Sequence, residues 1–329
     1  MTGPSSSPVA GFFRSCLLAV AVLGGGARLR AGDTTGPPAP LFRLGFSFAM
    51  FVGINENDAK ASIKALASVI STERGIPADP EPHLLEGTDQ IAAALHEDRI
   101  DSVALTTDEY WLLRRELPFD GFLMAEQNGD PFETYVVITN RATDFAEIRD
   151  LRNSRLEIVA GPHMSLARIW LDVVLTRAGL PVTNDCFARV TTQIKASRAV
   201  LAVFFRQADA GIVSRRAFDT MVELNPQVAK QVRIIAASPP YVPSFFAFCT
   251  SFPNPSKDHA MHEFGLLHTS TAGQQMLTIF QTERITARPE SDLRSALDLL
   301  EEHARLCPAA SAALILALRG GGRTVRTAP

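Results

Sequence analysis

The stretch Ala199–Pro226, AVLAVFFRQADAGIVSRRAFDTMVELNP, decides the fold. Its apolar spacing predicts a helix with Phe204 and Phe205 in the last turn, a short apolar strand from Asp209 to Val213, and a second helix that Pro226 helps to end. Helix, strand and helix in this order make one unit of an open α/β sheet. In such sheets ligands sit beyond the carboxyl ends of the strands, where the next helix turns its free amide groups outward. Ser214 therefore stands where a bound anion would be held, whereas Asp209, at the other end of the strand, reads as structural.

The same grammar extends in both directions. Upstream, LFRLGFSF from Leu41 reads as a strand, and Asn55–Arg74 as a helix with Ala59, Ile63, Leu66 and Ile70 on one face, closed by Gly75 and Pro77. HLLE is a strand, Thr88–Asp98 a helix with Thr88 as its cap, and DSVALT a strand ending at Thr106 and Thr107, with Thr107 or Asp108 capping the next helix. Successive β-α units imply a parallel sheet. GFLMAE and TYVVITN are strands, with Tyr135 to Thr139 as the crossing into a second lobe. That lobe continues with RLEIVA as strand, Met164–Ala178 as helix, Phe187–Val190 as strand, Gln193–Phe205 as helix, the opening unit, and VRIIAA. SPPYVP, Ser238–Pro243, breaks the periodicity and leads into a return crossing, with FFAFCT as the returning strand.

Beyond it, His259–His268 and Thr271–Phe280 read as helical, and Ser291 as the cap of a final amphipathic helix, LRSALDLLEEHARL. The expected organisation is a first lobe over 41–135, a second over 136–243, a return to the first over 244–306, and a flexible tail over 307–329. Within that tail the apolar run Ala309–Leu318 falls short of the roughly 20 residues a membrane span needs.

The chain has 329 residues, 46% hydrophobic and 20% charged, enough for one large or two medium domains. With 32 basic and 35 acidic residues, a net charge of −3 advertises no nucleic-acid footprint. Residues 1–31 read as a secretory signal: Arg14 gives the positive flank, Cys16–Leu23 the apolar core, and Gly25–Ala31 the small residues suited to cleavage after Ala27 or Ala31. Residues 32–40, with the Pro-rich run TTGPPAP, read as a disordered leader. A soluble exported protein is expected. Cleavage leaves Cys186, Cys249 and Cys307, an odd set that forms no disulfide framework and whose pairing the sequence leaves open.

Local signatures of catalysis are missing: no Walker loop, no G-x-S-x-G, no H-E-x-x-H and no C-x-x-C. The histidines are scattered, and His259 with His262 reads as a solvated helix face, so neither a metal nor a cofactor is expected. A binding site explains more. Hydroxyl-bearing segments follow predicted strands at Ser47, at Thr106 and Thr107, at Ser165, at Ser214 and at Ser238, in both lobes. Each joins a hydroxyl to the amides of a helix or turn start, a donor set that can hold an oxyanion without a fixed cation. Phe48, Phe51, Tyr110, Tyr135 and Tyr241 are the candidates for the walls of the same mouth, with core packing the preferred reading for the phenylalanines, and the three tyrosines are the only ones in the chain.

The segments VFFRQADAGIVSRRAFDTMVELNP, RIIAASPPYVPSFFAF and GFSFAMFVGINENDAKASIKALASVI together resemble the periplasmic substrate-binding proteins of phosphate, phosphite and phosphonate ABC importers, over roughly residues 41 to 306. The resemblance implies a two-lobed α/β fold of the type II periplasmic binding protein kind, each lobe a mostly parallel sheet flanked by helices, with two hinge crossings. It also implies a small oxyanion in the inter-lobe cleft, no enzymatic activity, and a membrane permease as partner. A sensory subunit that engages a receptor kinase, with a ligand other than a phosphonate, is the alternative. Two departures stand out. Family members typically place several Ser and Thr in the loop after the first strand of the second lobe, where this chain has Gly161, Pro162, His163, Met164 and Ser165. They often carry an acidic residue in the return crossing, where this chain has Val242, Pro243, Ser244 and Phe245.

Overall fold

A computed structural model describes residues 41–252 and 254–320, so the signal and leader expectations lie outside the described residues. Among the described residues eleven strands form two sheets: β1 (Leu44–Ser47), β2 (His83–Leu85), β3 (Ser102–Thr106), β4 (Phe119–Glu126), β5 (Tyr135–Asn140), β6 (Arg155–Val159), β7 (Arg189–Gln193), β8 (Ala210–Ser214), β9 (Val232–Ala237), β10 (Ser244–Cys249) and β11 (Arg284–Arg288). The first sheet has the order β11-β4-β10-β3-β1-β2 and the second β7-β6-β8-β5-β9. β1 pairs in parallel with β2 and β3, and β6 with β7 and β8, as successive β-α units require. The strands that run the other way are β5, which follows the first crossing, β10, which follows the return, and β11. Each lobe is thus a mixed sheet: most of its strands run one way, with β10 and β5 returning antiparallel between them and β11 antiparallel at an edge.

Local sequence sets the elements. The helix Glu56–Arg74 starts where the Asn55 side chain accepts the Asp58 amide and stops at Gly75, whose φ of +68° only glycine adopts without strain. Its inner face, Ala59, Ile63, Leu66 and Ile70, joins Phe42, Phe46, Phe248 and Phe264 in a core on one side of the first sheet. A second core covers the other side and continues into the second lobe through Tyr135, Tyr241 and Phe245.

Several boundaries differ from the sequence reading. Thr88, expected as the cap, lies inside the helix Gly87–His96, whose cap is Glu86 and whose first residue, Gly87, has a φ of +74°. The helix Thr107–Leu113 is capped by Thr106 in a reciprocal box with Glu109, not by Thr107 or Asp108. The first crossing lies at 127–134, so Tyr135–Thr139 belongs wholly to the second sheet. Ser291 sits within a short 3-10 turn, Glu290–Leu293, that precedes the helix Arg294–Leu306. Residues 308–319, expected in a flexible tail, form the helix Pro308–Arg319. It packs on Gly87–His96, placing Leu314 and Ile315 against the larger core. Cys186, Cys249 and Cys307 are buried and unpaired.

The helix Arg294–Leu306 packs on Thr107–Leu113 of the first lobe and on Ala167–Arg177 of the second. Arg114 pairs with Glu301 at 3.0 Å, and Arg177 with Glu302 at 2.7 Å. Between them the buried His303 Nε2 lies 3.4 Å from Asp172 Oδ2, while Asp172 Oδ1 accepts the Thr183 amide at 2.7 Å and the Thr183 hydroxyl. Burial works against the Asp172 charge, but these donors outweigh it and hold the carboxyl below its usual range.

Candidate functional site

Loops at the carboxyl ends of β1, β6 and β7 meet across the lobes. The 3-10 turn Phe48–Phe51 after β1 packs on the turn Pro162–Met164 after β6. Beside them, a Cβ built on Gly53, at φ +80°, would come within 3.1 Å of Ile194 just beyond β7. The lobes are in contact at the mouth of their cleft.

The hydroxyls expected there are engaged within the protein. Ser47 Oγ is fully buried and donates to Glu109 Oε1 at 2.5 Å while accepting the Ala49 amide at 3.2 Å. The Thr106 amide and hydroxyl donate to Glu109 Oε2 at 2.9 and 3.0 Å. Glu109 thus places a carboxylate where the donors of β1 and β3 converge. Thr107 Oγ1 donates to the Val242 carbonyl at 2.5 Å, and Ser165 Oγ to the Pro243 carbonyl at 2.9 Å, so both tie their lobes to the return crossing. Ser214 Oγ accepts the Ala217 amide at 3.2 Å as an ordinary helix cap. Ser238 Oγ accepts the Tyr135 amide at 2.8 Å and donates to the Pro239 carbonyl at 2.6 Å.

The aromatic walls divide likewise. Tyr110 is buried among Phe119, Phe122 and Phe245, and its hydroxyl donates to Glu290 Oε1 at 2.7 Å. Tyr135 and Tyr241 lie 6.1 Å apart at the hinge, and the Tyr135 hydroxyl donates to the His163 carbonyl at 3.2 Å. Phe48 is half-buried in the mouth turn.

A polar cluster that the sequence reading did not assemble lies at the same junction. Glu133, in the first crossing, sits 3.9 Å from both His163 Nδ1 and an Arg216 nitrogen. Arg216 follows β8 and donates to Gln127 Oε1 at 2.8 Å and to the Phe132 carbonyl at 3.3 Å, reaching from the second lobe to the crossing. Burial pushes the Glu133 carboxyl up to about 7, against the pull of Arg216. Burial and the Arg216 charge together lower His163, which is therefore neutral at neutral pH. Burial also raises Glu109 to about 7, reinforced by the neighbouring Asp108, and Asp108 to about 6; Asp108 Oδ1 has no hydrogen-bond partner. In the sequence Arg216 lies two residues beyond Ser214, and His163 lies inside the loop after β6. Neither carried a pattern that marked it.

Among the described residues no group of three or more His, Cys, Asp or Glu could hold a metal ion, and no helix is long and apolar enough to cross a membrane.

A two-lobed mixed α/β chain with its loops meeting at an inter-lobe mouth is a periplasmic binding protein by architecture. The sequence model of the family described as "ABC transporter, phosphonate, periplasmic substrate-binding protein" matches residues 48–293, and the chain belongs to this family of binding proteins, which are not enzymes. No curated protein sequence matches it. Among solved structures it is similar to a binding protein component of an ABC phosphonate transporter from Pseudomonas aeruginosa, with 14% identity, a TM-score of 0.56, and coverage of 85% of this chain and 94% of that one. A Xanthomonas citri protein bound to ATP aligns at 16% identity and TM-score 0.59, covering 81% and 98% of the two chains. PhnD1 from Prochlorococcus marinus in complex with methylphosphonate aligns at 13% identity and TM-score 0.55, covering 82% and 98%. At these identities the likeness is one of fold.

Proposed function

We propose that the chain, exported by its first 31 residues, is the solute receptor of an ABC importer and holds a small organic oxyanion of the phosphonate kind in the inter-lobe cleft. The observation that carries this reading is the position of Arg216. Its guanidinium follows a strand end of the second lobe, reaches the crossing between the lobes, and stands beside the neutral His163 ring at the place where the mouth loops meet. An anion there would exchange the guanidinium's bonds to Gln127 and the Phe132 carbonyl, both uncharged acceptors, for charge-assisted ones of its own. The predicted Ser47 and Thr106 donors take a secondary part, because Glu109 already occupies them and an incoming oxyanion would have to displace a carboxylate.

Closure is favoured only by the ligand's greater affinity for the closed state, so binding should be read as a stability gain as well as a heat. Isothermal titration of the full chain with inorganic phosphate, phosphite, methylphosphonate, 2-aminoethylphosphonate and sulfate tests the reading. We expect binding of at least one phosphorus oxyanion, weakened tenfold or more by Arg216→Ala. Unchanged affinity in that variant, or binding of none of these anions, would sink it.

A further inference from the structure

Beside the polar cluster lies a pocket of different character. It runs from the mouth turn into the smaller core of the first lobe, and among the residues that line it there is no Asp, Glu, Lys or Arg. Its inner wall is aromatic. The Phe46 ring lies 5.8 Å from Phe280 in a stacked arrangement, 5.3 Å from Phe246 edge-on, and 5.8 Å from Phe51. Met50 and Met276 also line it, and thioether side chains adapt to ligands of varied outline. Its polar lining is confined to uncharged groups, and one of these is His163, the ring that also belongs to the cluster with Glu133 and Arg216.

The rim adds a second observation. Among the described residues seven large hydrophobic side chains are exposed, and three of them gather here: Ile54 at 37% and Ile279 at 46% line the pocket, and Ile194 at 49% lies against Gly53 on the facing lobe. Scattered exposed apolar residues need no explanation, but a group at the edge of a charge-free pocket marks a surface that something covers. A cation on one side of His163 and an uncharged aromatic cup on the other would suit a ligand built the same way.

We propose that this pocket sets specificity by taking the uncharged apolar substituent, a short alkyl or aryl group, of an organic oxyanion whose charged head lies at Arg216 and His163. The proposal rests on the receptor reading above for the head and adds the class of the tail. A fully hydrated ion such as inorganic phosphate leaves the cup empty. A substituent that enters it removes apolar area from water, and each buried methylene should tighten the dissociation constant about fourfold.

The experiment is isothermal titration of the full chain with inorganic phosphate, methyl-, propyl-, butyl- and hexylphosphonate, and phenylphosphonate. Two variants accompany it. Ile279→Lys puts a charge at the exposed rim, at the end of the helix Thr271–Ile279 where a cation suits the helix dipole and folding is spared. Ala125→Leu fills the pocket from β4. We expect affinity to climb from methyl to butyl by tenfold or more, and the climb to flatten in both variants while methylphosphonate binding stays. Should Ala125→Leu fail to fold, Ile279→Lys decides. Equal affinity across the series, or a climb that survives in the variants, overturns the pocket assignment and leaves the receptor reading intact. If no member of the series binds, both fall.

Discussion

Glu109 offers the sharpest test of how this site is held together. The residue is 2% exposed, and burial together with the adjacent Asp108 lifts its carboxyl from the usual 4.5 to about 7. At about 1.4 kcal/mol for each tenfold change in proton affinity, keeping it ionised in the folded protein costs about 3 kcal/mol relative to the unfolded chain. A raised carboxyl means that the folded state holds the proton more tightly. The associated stability is therefore complete below pH 4.5 and is lost as pH rises through 7. Glu109→Gln removes the titration but keeps an acceptor for the Thr106 amide and hydroxyl and an amide that can donate to Ser47 Oγ. The assay is urea unfolding of both proteins from pH 4.5 to 8.5. The variant should gain on the wild type by about 3 kcal/mol across that range, with Asp108 contributing similarly to both curves and so largely cancelling. Parallel curves would refute the placement of a desolvated, titrating carboxyl between β1 and β3.

Two further outcomes follow from the packing. Asp172→Ala should cost about 2–4 kcal/mol in urea unfolding, because it strands the Thr183 amide and hydroxyl and the buried His303 ring; a loss under 1 kcal/mol would show that the cluster relaxes or is wet. Gly273→Ala should cost about 3 kcal/mol or more, because the added methyl would stand 1.9 Å from the Leu267 carbonyl oxygen, and backbone cannot yield there as a side-chain tip can. Thermal unfolding reads this directly, and a neutral substitution would mean that the 267–271 turn lies farther from the helix than described.

The β-α units were legible because each is a local pattern: apolar spacing names the helix, a short apolar run names the strand, and Asn55 and Gly75 punctuate them. β11 escaped notice because Arg284–Arg288 buries only Ile285, and its identity as a strand comes from pairing with β4 far upstream. The tail helix was hidden for a related reason. Its apolar side chains face the preceding helix Arg294–Leu306 and also Gly87–His96, the latter more than two hundred residues away in sequence. The site shows the same division. That Ser47, Thr106, Thr107, Ser165, Ser214 and Ser238 lie at strand ends or turns could be read locally, and they do. What each hydroxyl bonds could not, since the partners of Thr107 and Ser165 are carbonyls of the return crossing. Glu133, His163 and Arg216 come from a crossing, a loop and a helix start, and only the folded chain sets them side by side.

The helix Arg294–Leu306 changes what kind of machine two lobes on two crossings can be. Two strands alone would let the lobes twist as well as open. A helix seated on both lobes, tied at Arg114 on one side and at Asp172 and Arg177 on the other, adds a third connection against twist, and with it opening would be the one soft coordinate. A protein with one soft coordinate loses little entropy when a ligand stops it. It would also present its permease with a narrow set of outlines, an empty receptor and a loaded one differing by angle and not by shape.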